Sequence, residues 1–534
     1  MQKNEIYEIE ITGMTDEGDG VGKAEGMAVF VPYTIVGERV RVLIVKVMKT
    51  YAYGKLLEVL SPSEHRRKAE CPYFYQCGGC QLWHLDMDAE LSYKQQKVND
   101  CLHRIGKLDV DAESVRLASG ETRYRNKAQF PVTPEGIGFY RRNSHSVIPM
   151  EDCLIQGEWN ETIVRNVKQW METNGVSAYD EATGKGCVRH IYTRSGASGI
   201  LVTIVTAEQA MPKKEELIEM LTGTGIPISG IIQNINGKKT NVVLGRENKV
   251  LWGQGYLLDT LGRVKYKISP LSFYQVNPSA TLRLYEIAKK FAGLTGKETL
   301  WDLYCGIGTI GLFMAEKAEK VIGVEIIPDA VENAKENATL NDIENAEFYC
   351  GKAEELAPVL VKEHGRPDVV ILDPPRKGCE ESLLQTVSQV QPERIVYVSC
   401  KPSTLARDLK YLTEHGYFVK KVVPVNMFPR TEHVETVVML SQLKPDDVVQ
   451  VELNAEDLAL TSAEAKATYE EIKTYVKRAF GFKVSSLYIA QVKQKMGLPM
   501  GKNYNVSKKG TRVPLCPPEK EEAILEALKH YKMI

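Results

Sequence analysis

A Rossmann-like α/β domain is predicted over residues 279–445, with a small antiparallel β-barrel (1–62) and a sheet-rich segment (63–278) before it and a helical extension (446–534) after it. Three observations carry this reading. Short β-branched runs between 299 and 398 each end in a Gly, Asp or Pro turn, and the first two lead into helical periodicity, the sign of parallel strands joined by crossover helices. Residues 1–62 alternate apolar and polar positions in short stretches separated by glycines. The last ninety residues return to helical spacing.

At 534 residues the chain has ample core for three or four domains. Its 43% hydrophobic and 26% charged residues are those of an ordinary soluble protein, and a net charge of −1 gives no global nucleic-acid signature, so any basic face is local. No apolar run approaches the length of a membrane span, and Met-Gln-Lys-Asn-Glu is no signal peptide, so a cytoplasmic protein without membrane contact is expected. Eleven scattered cysteines do not form a secreted disulfide framework.

In the barrel, Tyr7–Ile11, Met27–Pro32, Glu38–Ile44 and Tyr53–Leu60 read as strands broken at Gly18, Gly20, Gly22 and Gly37. The segment resembles the TRAM domain, an OB-like RNA-binding module.

After a Ser-Pro-rich linker comes Cys71-Pro-Tyr-Phe-Tyr-Gln-Cys77-Gly-Gly-Cys80. Two glycines between Cys77 and Cys80 allow a tight turn that aims both sulfurs at one group, and Cys71 supplies a third. Cys153, ending the loop-like Pro149-Met-Glu-Asp, is the chosen fourth ligand, because Cys101 and Cys187 lie in helical or stranded patterns. The spacing admits zinc, an iron–sulfur cluster or a redox pair. Residues 89–107 read as a helix with Leu91, Val98, Leu102 and Ile105 on its buried face. Five basic residues against two acidic ones over 121–145, interleaved with Tyr124, Phe130, Phe139 and Tyr140, suggest a surface that follows phosphates and stacks unpaired bases.

From Ala280 an amphipathic helix leads into Glu298-Thr-Leu-Trp-Asp302-Leu-Tyr304-Cys-Gly306-Ile-Gly308-Thr309-Ile-Gly311, a strand, Gly-rich turn and helix. Nicotinamide enzymes share the bare glycine spacing. Asp302 ahead of the glycines, and a second strand ending in Glu325 only 14 residues after Gly311, favour S-adenosylmethionine (SAM), since a carboxylate there can hold both ribose hydroxyls. A third strand ends in Asp373-Pro-Pro-Arg376, where enzymes that methylate exocyclic amines usually carry an aromatic after the prolines; Arg376 argues for methylation of another atom. The strand Ile395–Val398 breaks at Ser-Cys400-Lys401-Pro, placing a thiol at the carboxyl end of the sheet, with Lys401 expected to lower its pKa. Phe428-Pro-Arg-Thr-Glu-His433-Val-Glu435 sets two acids and a histidine before a last strand, supplying a proton acceptor. For His433 a structural role outweighs a proton-transfer one.

These motifs resemble the SAM-dependent RNA uracil-5 methyltransferases, above all the bacterial 23S ribosomal RNA enzymes with a TRAM domain and a [4Fe–4S] cluster, over residues 1–440. The resemblance implies a class I SAM methyltransferase domain. It also implies Cys71, Cys77, Cys80 and Cys153 as cluster ligands, and Gln275, Tyr304, Glu325 and Asp373, with Thr309 and Lys352, at SAM. It implies Cys400 as the nucleophile that adds to uracil C6, Glu435 as the base that removes the C5 proton, and 23S ribosomal RNA as substrate, with no protein partner. The cluster is expected to shape the RNA-binding platform rather than to act in redox chemistry. The competing readings are the same chemistry on transfer RNA, whose enzymes typically lack barrel and cysteine array, and a non-catalytic iron–sulfur RNA-binding protein. Residues 446–534 lie outside the resemblance; Thr461-Ser-Ala-Glu464 reads as a capping box, and helices are expected there, at 485–496 and at 518–531, around a basic loop at 502–512. Such a unit suits an RNA contact or a small stabilising or docking module.

Overall fold

The computed structural model describes residues 1–240, 242–442, 469–480, 482, 484–496 and 516–531. By its internal contacts the chain divides into two units, 1–445 and 446–534.

Five strands, β1 (Ile6–Met14), β2 (Gly20–Ala24), β3 (Met27–Val31), β4 (Arg39–Val47) and β5 (Tyr51–Ser61), close into a barrel in the order β1-β2-β3-β5-β4. Their alternation fills the interior with Ile9, Ile11, Val29, Val31, Val40, Val42 and Ile44, all buried. Gly54 must be glycine, because a Cβ there would stand 2.2 Å from the Val42 side chain across the narrow interior.

Helix α1 (Met87–Cys101) runs on into a π-turn, Leu102–Gly106. Asp86 caps it, accepting from the Ala89 amide at 2.8 Å. Val98 and Leu102 are buried as expected, but Leu91 is half-buried and Ile105 is exposed. The π-turn shifts the helical period and swings Ile105 outward. Glu90 and Lys94, charged and completely buried, take the inward positions instead.

The strand β6 (Arg116–Leu117) is followed by β7 (Lys127–Thr133), β8 (Gly136–Tyr140), β9 (Val147–Pro149), α2 (Trp159–Asn174), β10 (Val188–Gly196), β11 (Gly199–Thr206), α3 (Lys214–Thr222), β12 (Ile228–Ile235) and β13 (Glu247–Gly253). Seven of these form a mixed sheet, β13-β12-β11-β10-β7-β8-β9, covered by α2 and α3.

A hairpin, β14 (Leu257–Leu261) and β15 (Val264–Ile268), precedes α4 (Pro278–Ala292), and then strands and helices alternate: β16 (Thr299–Leu303), α5 (Thr309–Met314), β17 (Lys320–Glu325), α6 (Pro328–Leu340), β18 (Ala346–Cys350), α7 (Ala353–His364), β19 (Val369–Leu372), α8 (Glu381–Val390), β20 (Arg394–Ser399), α9 (Pro402–Glu414), β21 (Tyr417–Asn426) and β22 (Glu435–Gln442). The eight-stranded sheet runs β18-β17-β16-β19-β20-β22-β21-β6; β16 to β20 are parallel and β22 is antiparallel to both its neighbours. The order reverses beside β16, so the crevice of this open sheet lies beyond the carboxyl ends of β16 and β19.

Part of the segment expected to be central builds this domain. β6 pairs with β21, α1 contributes Val98 to the core beneath α9, and the β14–β15 hairpin packs with α4 and α6. Sequence adjacency groups them with 63–278; their apolar faces are buried against the eight-stranded sheet.

In the second unit, α10 (Tyr469–Phe480), α11 (Ser486–Lys495) and α12 (Pro518–His530) bury Ile472, Val476, Ile489, Val492, Ile524 and Leu528 against one another. The capping box at 461–464 and the basic loop at 502–512 lie outside the described residues. Among the described residues no helix is long and apolar enough to cross a membrane.

Candidate active site

The carboxyl end of β16 holds the first acid. Asp302 is fully buried, its Oδ2 accepts from the Gly311 amide at 2.8 Å and so closes the Gly306–Gly311 turn, and its Oδ1 has no partner. Burial pushes this carboxyl up to about 7, with the Glu325 charge adding to the effect. Tyr304, which follows β16, takes a φ of +106°, a left-handed conformation rarely adopted by a tyrosine, and its amide donates to the Val324 carbonyl at 3.0 Å. At Gly306, with φ +55°, a Cβ would point into open space. Glu325, at the end of β17, accepts from the Gly306 and Ile327 amides at 3.2 and 2.9 Å. Thr309 opens α5, its hydroxyl accepting from Tyr285 and its carbonyl from Tyr266. Gln275 is buried, its main-chain oxygen bonded by Asn126 at 3.2 Å. Lys352 stands at the turn after β18, but its exposed ammonium turns to Glu355 at 2.9 Å.

The unpaired Asp302 oxygen, the open space over Gly306 and the carboxylate at the end of β17 fit an adenosine ligand carrying a cation. Two side chains of this crevice were not singled out from sequence. Ile326 is 57% exposed directly after Glu325, an apolar surface at the end of β17; Phe273, in the loop before α4, is 70% exposed. An apolar residue following a strand-end acid was the available signal for Ile326.

A second group of side chains meets at the carboxyl end of β20. β20 and β22 pair antiparallel, and Ser399 opposite Thr436 is the last pair of their ladder, so Cys400 and Glu435 flank its end and act on one another electrostatically. Burial raises Glu435 to about 8, helped by the charge of Asp373, while the Arg376 guanidinium pulls it down. Burial likewise raises Asp373, at the end of β19, to about 7, with Asp302 adding to it. The Cys400 thiol is pushed up to about 11 by burial first and then by Glu435 and Asp373. The expectation that Lys401 lowers this pKa is therefore overturned: Lys401 is exposed at the cap of α9, and the cation acting on the thiol is Arg376. His433 is held neutral, its pKa lowered to about 4 by burial and then by Arg376 and three further cations.

The third group is the cysteines. Cys71, Cys77, Cys80 and Cys153 line one cavity of about 180 Å³, together with Trp83 and Met150 among others. Burial raises all four thiols, Cys153 to about 12, and the charges of Cys153, Cys77 and Cys71 add to the effect at Cys80. Among the described residues no three His, Cys, Asp or Glu side chains converge as ligands of a single metal ion. Sulfur is the donor that both zinc and iron–sulfur clusters take, and these four thiols share the wall of one cavity.

The basic and aromatic stretch at 121–145 is mostly structural. Tyr124 and Phe130 are buried, Arg123 pairs with Asp152, Arg142 with Asp19, and Arg125 lies over Phe428. The alternation that reads as a binding face is that of a sheet strand with its ends tied to neighbouring segments; Tyr140 and Arg141 remain accessible.

Residues 231–443 match the tRNA (Uracil-5-)-methyltransferase family and residues 2–57 the TRAM domain. A protein of Clostridium tetani described as an uncharacterized RNA methyltransferase is 46% identical over 447 residues, covering 83% of this chain and 97% of that one. The chain belongs to the RNA (uracil-5-)-methyltransferase family. A second uncharacterized RNA methyltransferase, from Halalkalibacterium halodurans, is 47% identical over 82% of this chain and 98% of its own length. Among solved structures, the Pyrococcus abyssi tRNA (uracil-54, C5)-methyltransferase in complex with S-adenosyl-L-homocysteine superposes with a TM-score of 0.68 at 27% identity, over 81% of this chain and 100% of that one. The family is SAM-dependent, and the fold is that of a SAM methyltransferase with an N-terminal TRAM barrel. The likeness to a transfer RNA enzyme spans more residues than 63–445 contain, so it reaches beyond the central and catalytic parts. Additional domains therefore do not by themselves set a ribosomal RNA enzyme apart.

Proposed function

We propose that this protein methylates C5 of a uridine in 23S ribosomal RNA through a covalent adduct with Cys400. The observation that carries the chemistry is the meeting of Cys400, Glu435, Asp373 and Arg376 at the carboxyl ends of β19 and β20 and the amino end of β22. Uracil C5 is a weak nucleophile until a thiolate adds to C6 and turns the ring into an enolate. Cys400 supplies that thiolate. Bound SAM supplies an electrophilic methyl group on a sulfonium. Glu435 then takes the C5 proton, the electron pair of that C–H bond forms the C5–C6 double bond, and the C6–S bond breaks to return the Cys400 thiolate. Arg376, facing the thiol and Glu435, favours the ionised forms of both.

Glu325 would hold the ribose hydroxyls, and Asp302, Tyr304, Thr309 and Gln275 would line the rest of the SAM site. Asp373 would face the reacting groups, and Lys352 would stand at its rim. A uracil inside a duplex is closed to attack from its face, so the target is a loop nucleotide or is flipped out. Cys71, Cys77, Cys80 and Cys153 would hold a [4Fe–4S] cluster, which would join two segments of chain and would take no part in methyl transfer.

The motifs shared with bacterial 23S enzymes favour ribosomal RNA; the likeness to the P. abyssi enzyme favours transfer RNA as the second reading. Labelled SAM offered with 23S and transfer RNA transcripts decides between them. 5-Methyluridine in 23S RNA, absent with Cys400→Ala, is expected. Label in transfer RNA alone overturns the target, and label in neither overturns the reaction.

A further inference from the structure

The segment from Asn426, the last residue of β21, to Val434 leads directly into the proposed base at the start of β22, and it is pinned to other parts of the fold at Asn426 to Arg430 and at Glu432. Lys94 Nζ donates to Asn426 Oδ1 and to the Phe428 carbonyl at 2.7 and 3.1 Å, Asn277 donates to the Met427 carbonyl at 2.8 Å, and the Tyr124 hydroxyl donates to the Pro429 carbonyl at 2.9 Å. Lys97 Nζ reaches the Glu432 carbonyl at 3.0 Å.

Arg430 lies at the centre of this arrangement. It is fully buried and holds a φ of +70°, in the left-handed region that favours glycine. Its amide donates to both oxygens of Glu90 at 3.1 Å. Its carbonyl accepts the amides of Gln81 and Leu82, each at 3.0 Å, and these are the two residues directly after Cys80. Its guanidinium donates to the Leu85 carbonyl at 2.9 Å and to Glu90 at 3.2 Å, pairs with Glu121, and lies over Trp83. A strained arginine whose main chain and side chain are both engaged by another part of the fold is a fixed point, five residues before Glu435.

We propose that Arg430 is a positioning residue for proton removal. By locking the 426–434 segment to α1 and to the loop after Cys80, it sets the Glu435 carboxylate against the C5 proton of the methylated adduct. Cys400 and the SAM crevice sit on β20 and β16 and do not hang from this segment. Loss of the lock therefore slows the second half of the reaction and spares the first: the adduct forms and is methylated, but the C5 proton stays and the C6–S bond persists. This rests on the reading given under Proposed function.

The test uses the full chain, a 23S RNA transcript and labelled SAM. Arg430→Gly removes the guanidinium while accepting the backbone angle, and Arg430→Lys keeps the charge while losing the planar fork. Single-turnover methyl incorporation and the fraction of label migrating with protein on a denaturing gel are followed together, with SAM affinity and melting temperature as checks on folding. Incorporation within about threefold of wild type, with release slowed about tenfold or more so that a labelled protein–RNA species accumulates, is expected for Arg430→Gly, and a smaller accumulation for Arg430→Lys. A folded variant that turns over without accumulating the species, or that loses both halves equally, overturns the proposal. If Arg430→Gly does not fold, Arg430→Lys is read by the same criterion, with hydrogen exchange of the 426–435 segment expected to rise; unchanged exchange and no accumulation overturn it. Wild type that makes no 5-methyluridine refutes the assigned reaction instead.

Discussion

The thiol of Cys400 is set for the unfavourable half of its task, and its titration can be read directly. At about 11 against an ordinary 9.0, ionisation is opposed by up to roughly 3 kcal/mol before solvent screening. At pH 8 the thiolate fraction is roughly one in a thousand, so alkylation by iodoacetamide should be about a hundredfold slower than at an unperturbed cysteine. A cysteine in a short unstructured peptide provides the reference rate. After burial, the largest contribution comes from Glu435, which itself ionises only at about 8. Glu435→Gln should therefore leave the Cys400 rate unchanged near pH 6.5, where the wild-type carboxyl is already neutral, and raise it roughly tenfold near pH 9.5, where the wild-type charge is present. Arg376→Gln should act with the opposite sign at every pH, since the guanidinium never loses its charge. Peptide mass spectrometry after timed alkylation from pH 6 to 10.5 gives all three curves. Cys400 reacting as fast as the peptide cysteine at pH 8, or wild-type and Glu435→Gln curves that never separate, would refute the electrostatic account.

Three further outcomes follow from the same groups. Glu435→Gln should trap a covalent RNA adduct and lower turnover by about 10²- to 10⁴-fold, seen as a protein–RNA band on denaturing gels that Cys400→Ala abolishes. Asp302, Asp373 and Glu435 all have folded pKa values above their unfolded ones, so their stabilising contribution is complete below about pH 4 and falls as pH rises, to about 7 for the two aspartates and about 8 for Glu435, at up to roughly 1.4 kcal/mol per pH unit for each group. Wild type should therefore lose melting temperature relative to Glu435→Gln between pH 5 and 8, and a constant difference would contradict the raised carboxyl. For the cysteines, anaerobic purification should yield about four irons and four acid-labile sulfides per chain, with zinc absent and with Cys80→Ser losing both; stoichiometric zinc would overturn the cluster.

How far the sequence reaches depends on the range of the interaction that fixes each element. Four barrel strands and the parallel strands β16, β17, β19 and β20 are set by local alternation and by the turns at their ends, and these appear where the pattern predicts them; β2, which reads as a glycine break between strands, and β18 are strands that the alternation does not reveal. The meeting of Cys400 with Glu435 is a matter of register between β20 and β22, separated by α9 and β21, and only the motif resemblance brought the two residues together in advance. The pKa of the thiol was misjudged for the same reason: Lys401 is a neighbour in the chain, whereas Glu435, Asp373 and Arg376 are neighbours in space. The inward face of α1 was misread because an apolar rule cannot foresee Glu90 and Lys94 as buried charges. Their partners, Arg430 and Asn426, lie more than 300 residues further along the chain. Burying one of these charges without its partner would be strongly unfavourable. The charges on α1 are thus intelligible only from the segment that carries Glu435, and that segment's geometry only from α1. A helix that reads as scaffold in the sequence belongs, by its buried charges, to the positioning of the base.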